Sequence, residues 1–248
     1  MTDLSNKTAL VTGASRGIGR ATARALASAG AHVIVHYGGS SDEAQSLVAE
    51  IRKKGGHADP VATDLAATDG AHTLAAKVRT IVGDRLDILV ANAGVSTFST
   101  IEQETVAAFD RMYAINVRAP FFLVQQLLPL LGEGSSVVLL SSLVTRATVG
   151  IMPAYAATKG ANETLVRHFA ALLGPRGIRV NAVAPGVIET DATGAFLTPE
   201  GREGIIGSQA LKRIGQPDDV ADVVAFLGSN AARWITGDII QVGGGSKL

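Results

Sequence analysis

Cysteine is absent from the 248 residues. That excludes disulfides, thiolate nucleophiles and cysteine-based metal sites together, and it fits a reducing compartment. Histidine does not fill the gap. His32, His36, His57, His72 and His168 show no metal-ligand spacing and read as surface or strand-end residues, so no metal site is expected. Neither sign of charge is in excess, with 22 Lys and Arg against 22 Asp and Glu. No basic run marks a nucleic-acid or membrane partner, which leaves small-molecule chemistry as the better reading. Long hydrophobic runs are also missing. The greasiest, Ala119 to Leu131, is broken by Gln125, Gln126 and Pro129 and is too short for a bilayer. Met1 to Lys7 lacks the apolar run of a secretory leader, so a cytoplasmic location is expected. The terminal Ser246-Lys247-Leu248 would read as a peroxisomal address in a eukaryotic host and as nothing in a bacterium.

Apolar residues make up 47% of the chain and charged residues 18%, enough to bury a large core in a single domain over residues 1–248. Short apolar runs alternate with helical stretches throughout. The runs are Thr8–Thr12, His32–Tyr37, His57–Ala62, Leu86–Ala91, Ser135–Leu140, Ile178–Ala184 and Asp238–Val242. Between them lie helical patterns at Ile18–Ala29, Asp42–Lys53, Thr68–Val82, Glu102–Leu131, Pro153–Leu173 and Asp218–Gly228. Strands that are apolar throughout, alternating with helices, predict an α/β fold with a parallel sheet covered on both faces. Residues Gly186 to Gly215 break the rhythm. Turn residues there mix with Phe196, Leu197, Ile205 and Ile206, which reads as a lid over an apolar, uncharged ligand.

The segment Thr12-Gly13-Ala14-Ser15-Arg16-Gly17-Ile18-Gly19 joins the first strand to the first helix. Glycines there let the backbone turn tightly against a pyrophosphate, whose charge sits at the helix N-terminus. The spacing is Gly-x-x-x-Gly-x-Gly and resembles that of the short-chain dehydrogenase/reductase family. The resemblance runs along the whole chain: Asn92-Ala93-Gly94, Asn116, Ser142, Tyr155-Ala-Ala-Thr-Lys159 and Pro185-Gly186 match in order and spacing. Ala91 stands where the family has a first Asn, and the ending Gly243-Gly244-Gly245 departs from the usual Asp-Gly-Gly. The family implies a Rossmann, doubly wound sheet of about seven strands and a homotetramer.

Tyr155 and Lys159 lie four apart and share a helix face. Reducing a carbonyl needs a proton donor at oxygen as hydride reaches carbon. A free phenol titrates near 10, and a neighbouring lysine charge is expected to bring Tyr155 towards neutral pH. The Ser142 hydroxyl can bond the substrate oxygen. The resemblance makes Asn116 the holder of a water that links Lys159 to solvent. Enoyl reductases of similar fold carry a longer Tyr-to-Lys gap, which disfavours double-bond reduction.

For the cofactor, the resemblance implies contacts from Gly13, Ser15, Arg16, Gly17, Ile18 and Gly19 in the first turn. It adds Tyr37, Gly38 and Ser40 after the second strand, Asp64 and Leu65 after the third, and Asn92, Ala93 and Gly94 after the fourth. Tyr155, Lys159, Pro185, Gly186, Ile188 and Thr190 complete the set. Tyr37 stands where NAD users of the family carry Asp, and the first acid, Asp42, comes only as the next helix begins. With Gly38, Gly39, Ser40 and Ser41 leaving room for a 2′-phosphate, and Arg16 beside it, NADP(H) is favoured over NAD(H). The reading is an NADP(H)-dependent carbonyl/alcohol oxidoreductase. Its rivals are an NAD(H)-dependent alcohol or sugar dehydrogenase and a dinucleotide-binding sensor without chemistry. The His36-Tyr37-Gly38 pattern is close to that of 3-oxoacyl-carrier-protein reductases. Gln125 to Ser136, however, holds no Lys or Arg to dock an acidic carrier.

Overall fold

The computed structural model describes residues 2–148 and 150–247. Leu248, the last residue of the possible targeting tripeptide, lies outside them. Seven parallel strands form one sheet in the order β3-β2-β1-β4-β5-β6-β7. They are β1 (Thr8–Val11), β2 (His32–Tyr37), β3 (His57–Ala62), β4 (Ile88–Ala91), β5 (Ser136–Leu140), β6 (Arg179–Pro185) and β7 (Ile239–Val242). The order reverses beside β1, between β1 and β4, and a doubly wound sheet opens its ligand crevice at such a switch point.

Both faces of the sheet are apolar because alternate side chains of each strand serve different cores. In β1, Ala9 and Val11 pack on one side and Leu10 on the other; in β4, Ile88 and Val90 oppose Leu89 and Ala91. The first core is closed by α1 (Gly17–Ser28), α2 (Ser41–Lys53) and α8 (Pro217–Gly228), through Leu26, Leu47 and Val224. The second is closed by α3 (Gly70–Val82), α5 (Ala119–Leu127) and α6 (Pro153–Leu173), through Leu74, Leu123 and Val166. Among the described residues, no helix is long and apolar enough to cross a membrane.

Two stretches differ from the sequence expectation. The helix expected over Glu102–Leu131 begins only at α4 (Val106–Tyr113), where the Thr105 side chain caps Ala108 N. It then widens into a π-helical turn, Ala114–Arg118, before α5. That turn buries Asn116, whose side chain bonds Val95 and Thr158 and so holds the bulge in place. The segment expected as a lid without regular structure contains α7 (Pro199–Gly207). Thr198 caps it by accepting from Gly201 N, and Pro199 occupies its first turn. The start signal was present in Thr198-Pro199, but Gly201, Gly204 and Gly207 mask the helical period.

Candidate active site

At the carboxyl ends of the strands lies a cavity of about 1080 Å³. The glycine turn forms one wall. Thr12 Oγ1 accepts from Asn92 N at 3.0 Å and Ala93 N at 2.9 Å, while Asn92 Nδ2 donates to Thr12 O at 2.8 Å and Gly13 O at 3.0 Å. These bonds lace the ends of β1 and β4 together. Gly13 and Gly17 sit at φ +62° and +54°, where side chains are strained. The first turn of α1 holds no acidic residue, and Arg16 at its N-cap makes no side-chain cap bond. Its N–H groups therefore remain available to an anion.

His36 is one of the residues expected at a strand end: it stands at the end of β2, where it is buried. Nδ1 accepts from Gly13 N at 3.1 Å, so in the neutral ring Nε2 carries the proton and donates to Thr63 O at 3.0 Å. Burial pushes its pKa down to about 4, which keeps this neutral form at physiological pH. His36 thus clamps the glycine turn to the ends of β2 and β3. Strand alternation alone gave no sign of it.

Nearly all the expected cofactor residues line the cavity: Gly13, Ser15, Arg16, Gly17, Ile18, Gly19, Gly38, Ser40, Asp64, Leu65, Asn92, Ala93 and Gly94 at one end. Tyr155, Lys159, Pro185, Gly186, Ile188 and Thr190 follow. Tyr37 does not. It packs on the apolar core beside β2, and the lining comes from its neighbours His36, Gly38, Gly39 and Ser40. The first acid after β2, Asp42, is absent from the wall.

Ser142, Tyr155 and Lys159 all line the cavity and lie close together. Pro153 and Met152 start α6, which puts Tyr155 in its first turn and Lys159 one turn further. Lys159 Nζ is buried, donates to Leu140 O at 2.7 Å and lies 5.5 Å from the Tyr155 ring centroid. Burial lowers its pKa to about 8. Burial likewise pushes Tyr155 up to about 12, against a smaller downward pull from its hydrogen bond with Ser142. Desolvation, not the Lys159 charge, sets the direction of this shift, and the phenol stays protonated at neutral pH. Asn116 lies near Lys159: a Cβ built on Gly94 would come within 3.4 Å of its Oδ1 and 3.6 Å of Lys159 Nζ. The Asn116 side chain donates to Val95 O at 2.8 Å and Thr158 Oγ1 at 3.0 Å and accepts from Val95 N at 2.9 Å. It braces the wall from behind and is absent from the lining.

The cavity also holds an apolar group of side chains, with Ser96, Arg111, Thr193 and Thr198 in the same lining. Phe98 and Phe196 approach to 4.3 Å between ring centroids, with Ile151, Met152 and Ile205 around them. Of the four apolar residues expected to cover a ligand, Phe196 and Ile205 line the cavity and Leu197 and Ile206 do not. Phe98 and Ile151 carried no sequence signal, because they come from loops distant in the chain.

A family model described as enoyl-(acyl carrier protein) reductase matches residues 13–247. The chain belongs to the short-chain dehydrogenase/reductase family. As a family member it is an oxidoreductase. It is 39% identical to versicolorin reductase stcU of Emericella nidulans, over 98% of this chain and 96% of that protein. Among solved structures it is similar to the promiscuous reductase LugOII, which catalyses keto-reduction at C1 during lugdunomycin biosynthesis. That match has a TM-score of 0.94 and 43% identity over 100% of both chains. It is also similar to the landomycin C-6 ketoreductase LanV with bound NADP and rabelomycin. There the TM-score is 0.89 and the identity 40%, over 98% of this chain and 97% of that one. The family's usual Asp-Gly-Gly ending is replaced here without loss of the last turn. Gly186 N donates to Val242 O at 3.0 Å, and Arg146 Nη2 donates to Ser246 O at 2.8 Å.

Proposed function

We propose that the protein is an NADPH-dependent ketoreductase acting on flat, apolar, aromatic ketones. The observation that carries this reading is one continuous cavity joining a phosphate-ready glycine turn, the Ser142-Tyr155-Lys159 group and an aromatic floor. The relatives' names point the same way, since LugOII and LanV reduce ketones and LanV holds NADP with rabelomycin. The residues fit a dinucleotide. A Cβ at Gly19 would lie 2.2 Å from Gly13 O, so the turn is shaped for backbone alone, while Gly38 and Gly39 have nothing within 4 Å. Sugars fit the apolar floor poorly, and a pure sensor has no use for a buried Lys159 beside a phenol.

When bound, the nicotinamide supplies hydride to the carbonyl carbon. The Tyr155 hydroxyl gives its proton to the carbonyl oxygen, and Ser142 donates a hydrogen bond to that oxygen as charge grows on it. Lys159, held by Leu140 O, faces the phenolate left behind and favours its formation during the transfer. Carbonyl reduction is preferred over the enoyl chemistry in the family model's description because the proton donor and lysine are four residues apart, the shorter of the family's gaps. The chain acts as one domain and, as in relatives of its family, assembles as a homotetramer. Support comes from Leu172 on α6, 70% exposed, and Trp234 ahead of β7, 97% exposed.

The cofactor choice has a direct test. With no carboxylate in the stretch after β2 that lines the wall, Gly38 to Ser40, kcat/KM with NADPH should exceed that with NADH by about ten- to a hundredfold, the range of one charge-assisted contact. Since Tyr37 faces the core, the discriminating position moves to Gly38, which is not at positive φ and has open space at its Cβ. Gly38→Asp should bring the two cofactors to near parity. A wild-type preference for NADH, or an unchanged ratio in the variant, would refute the assignment.

A further inference from the structure

Ser142 lies just past β5, in extended backbone; its hydroxyl faces Tyr155 and accepts from Val144 N only at 3.4 Å. Its position depends on its neighbours. On one side Leu140 O is tied to α6 by Lys159. On the other, Glu163, one turn beyond Lys159 on the same helix, accepts from Ser141 Oγ and from Thr145 Oγ1, both at 2.7 Å through Oε1. The outer oxygen, Oε2, faces Arg167 at 3.9 Å, and the Glu163 side chain is only 16% exposed. Thr145 Oγ1 also lies 2.9 Å from Ser142 O but has one proton to give. A carboxylate is the stronger acceptor, and Ser142 O already accepts from Thr145 N at 3.2 Å. The cavity wall includes Ser141 and Ser142 but not Glu163.

We infer that Glu163 is a positioning residue for the reaction: it holds the Ser141–Thr145 turn, and with it Ser142, in register with the helix that carries Tyr155 and Lys159. The inference rests on the roles proposed above for Ser142 and Tyr155. Without the strut, Ser142 drifts from the substrate oxygen while the cofactor end of the cavity is untouched.

The test is a cycle of Glu163→Leu and Ser142→Ala, with kcat, KM for a ketone and the Kd of NADPH measured on the full chain. Glu163→Leu should lower kcat about ten- to a hundredfold, as misplacement of a reacting partner by a fraction of an ångström does, with NADPH affinity within about twofold. Glu163→Gln keeps an acceptor oxygen and should recover kcat to within about threefold of wild type. In the Ser142→Ala background, Glu163→Leu should cost less than about another twofold, because the group it positions is gone. Equal losses in both backgrounds, NADPH affinity falling in step with kcat, or a Glu163→Leu enzyme as fast as wild type would each overturn the inference. If Glu163→Leu does not fold, the Ser141→Ala/Thr145→Val pair removes both donors and is read in the same cycle. Wild-type turnover in Ser142→Ala would instead refute the role of Ser142 itself and take this inference with it; additive losses refute only the strut.

Discussion

Replacing Tyr155 by phenylalanine is expected to lower kcat by about 10²- to 10⁴-fold, the range associated with a positioned acid, while NADPH binding and the unfolding midpoint stay near wild type. The substitution deletes one oxygen and leaves the ring on the wall of the cavity. Its pKa near 12 means that the phenol enters the cycle protonated at any physiological pH, as a reductase requires. No other described acid takes its place: Lys159, with a pKa near 8, is already committed to Leu140 O. Steady-state kinetics with NADPH and an aromatic ketone, beside equilibrium titration of NADPH, check this. A variant retaining more than about a tenth of wild-type kcat would remove Tyr155 as the donor.

Gly19→Ala should be nearly as damaging, for a different reason. The added methyl would lie 2.2 Å from Gly13 O and 2.5 Å from Asn92 Nδ2, and neither can move alone. Gly13 is fixed by His36 through its N–H, and Asn92 by Thr12. Relief requires the glycine turn to shift against the β4 end, which removes the backbone cradle for the phosphates. The Kd of NADPH should rise by more than about 100-fold, and overpacking should lower stability by about 1–3 kcal/mol. Calorimetric titration that finds NADPH affinity within about threefold of wild type would show that the phosphates do not use this turn.

Most of the scaffold was legible because its signals are local. Strands buried on both faces read as unbroken apolar runs, and helix ends such as Gly30 and Pro153 announce themselves. The glycine turn and the Tyr155–Lys159 spacing are short motifs whose geometry follows from chain direction. What escaped depends on contacts across the fold. The π-turn at Asn116 exists because Val95 and Thr158, remote in sequence, claim its side chain. His36 looks like any strand residue until Gly13 and Thr63 converge on it. Tyr37 is expected at the cofactor from its position in the motif, but strand alternation puts its ring on the face of Val33 and Val35, against the core. The aromatic pair of Phe98 and Phe196 joins two loops that sequence cannot bring together.

The measurement that bears most directly on this account is isotope transfer. Incubating the enzyme with an aromatic enone and NADPH deuterated at both C4 positions offers it a carbonyl and a double bond in one molecule. The geometry predicts one deuterium on the carbinol carbon of the product alcohol, with the double bond intact, and loss of this product in Tyr155→Phe. Deuterium at the β-carbon of a saturated ketone, or no transfer from NADPH at all, would contradict it.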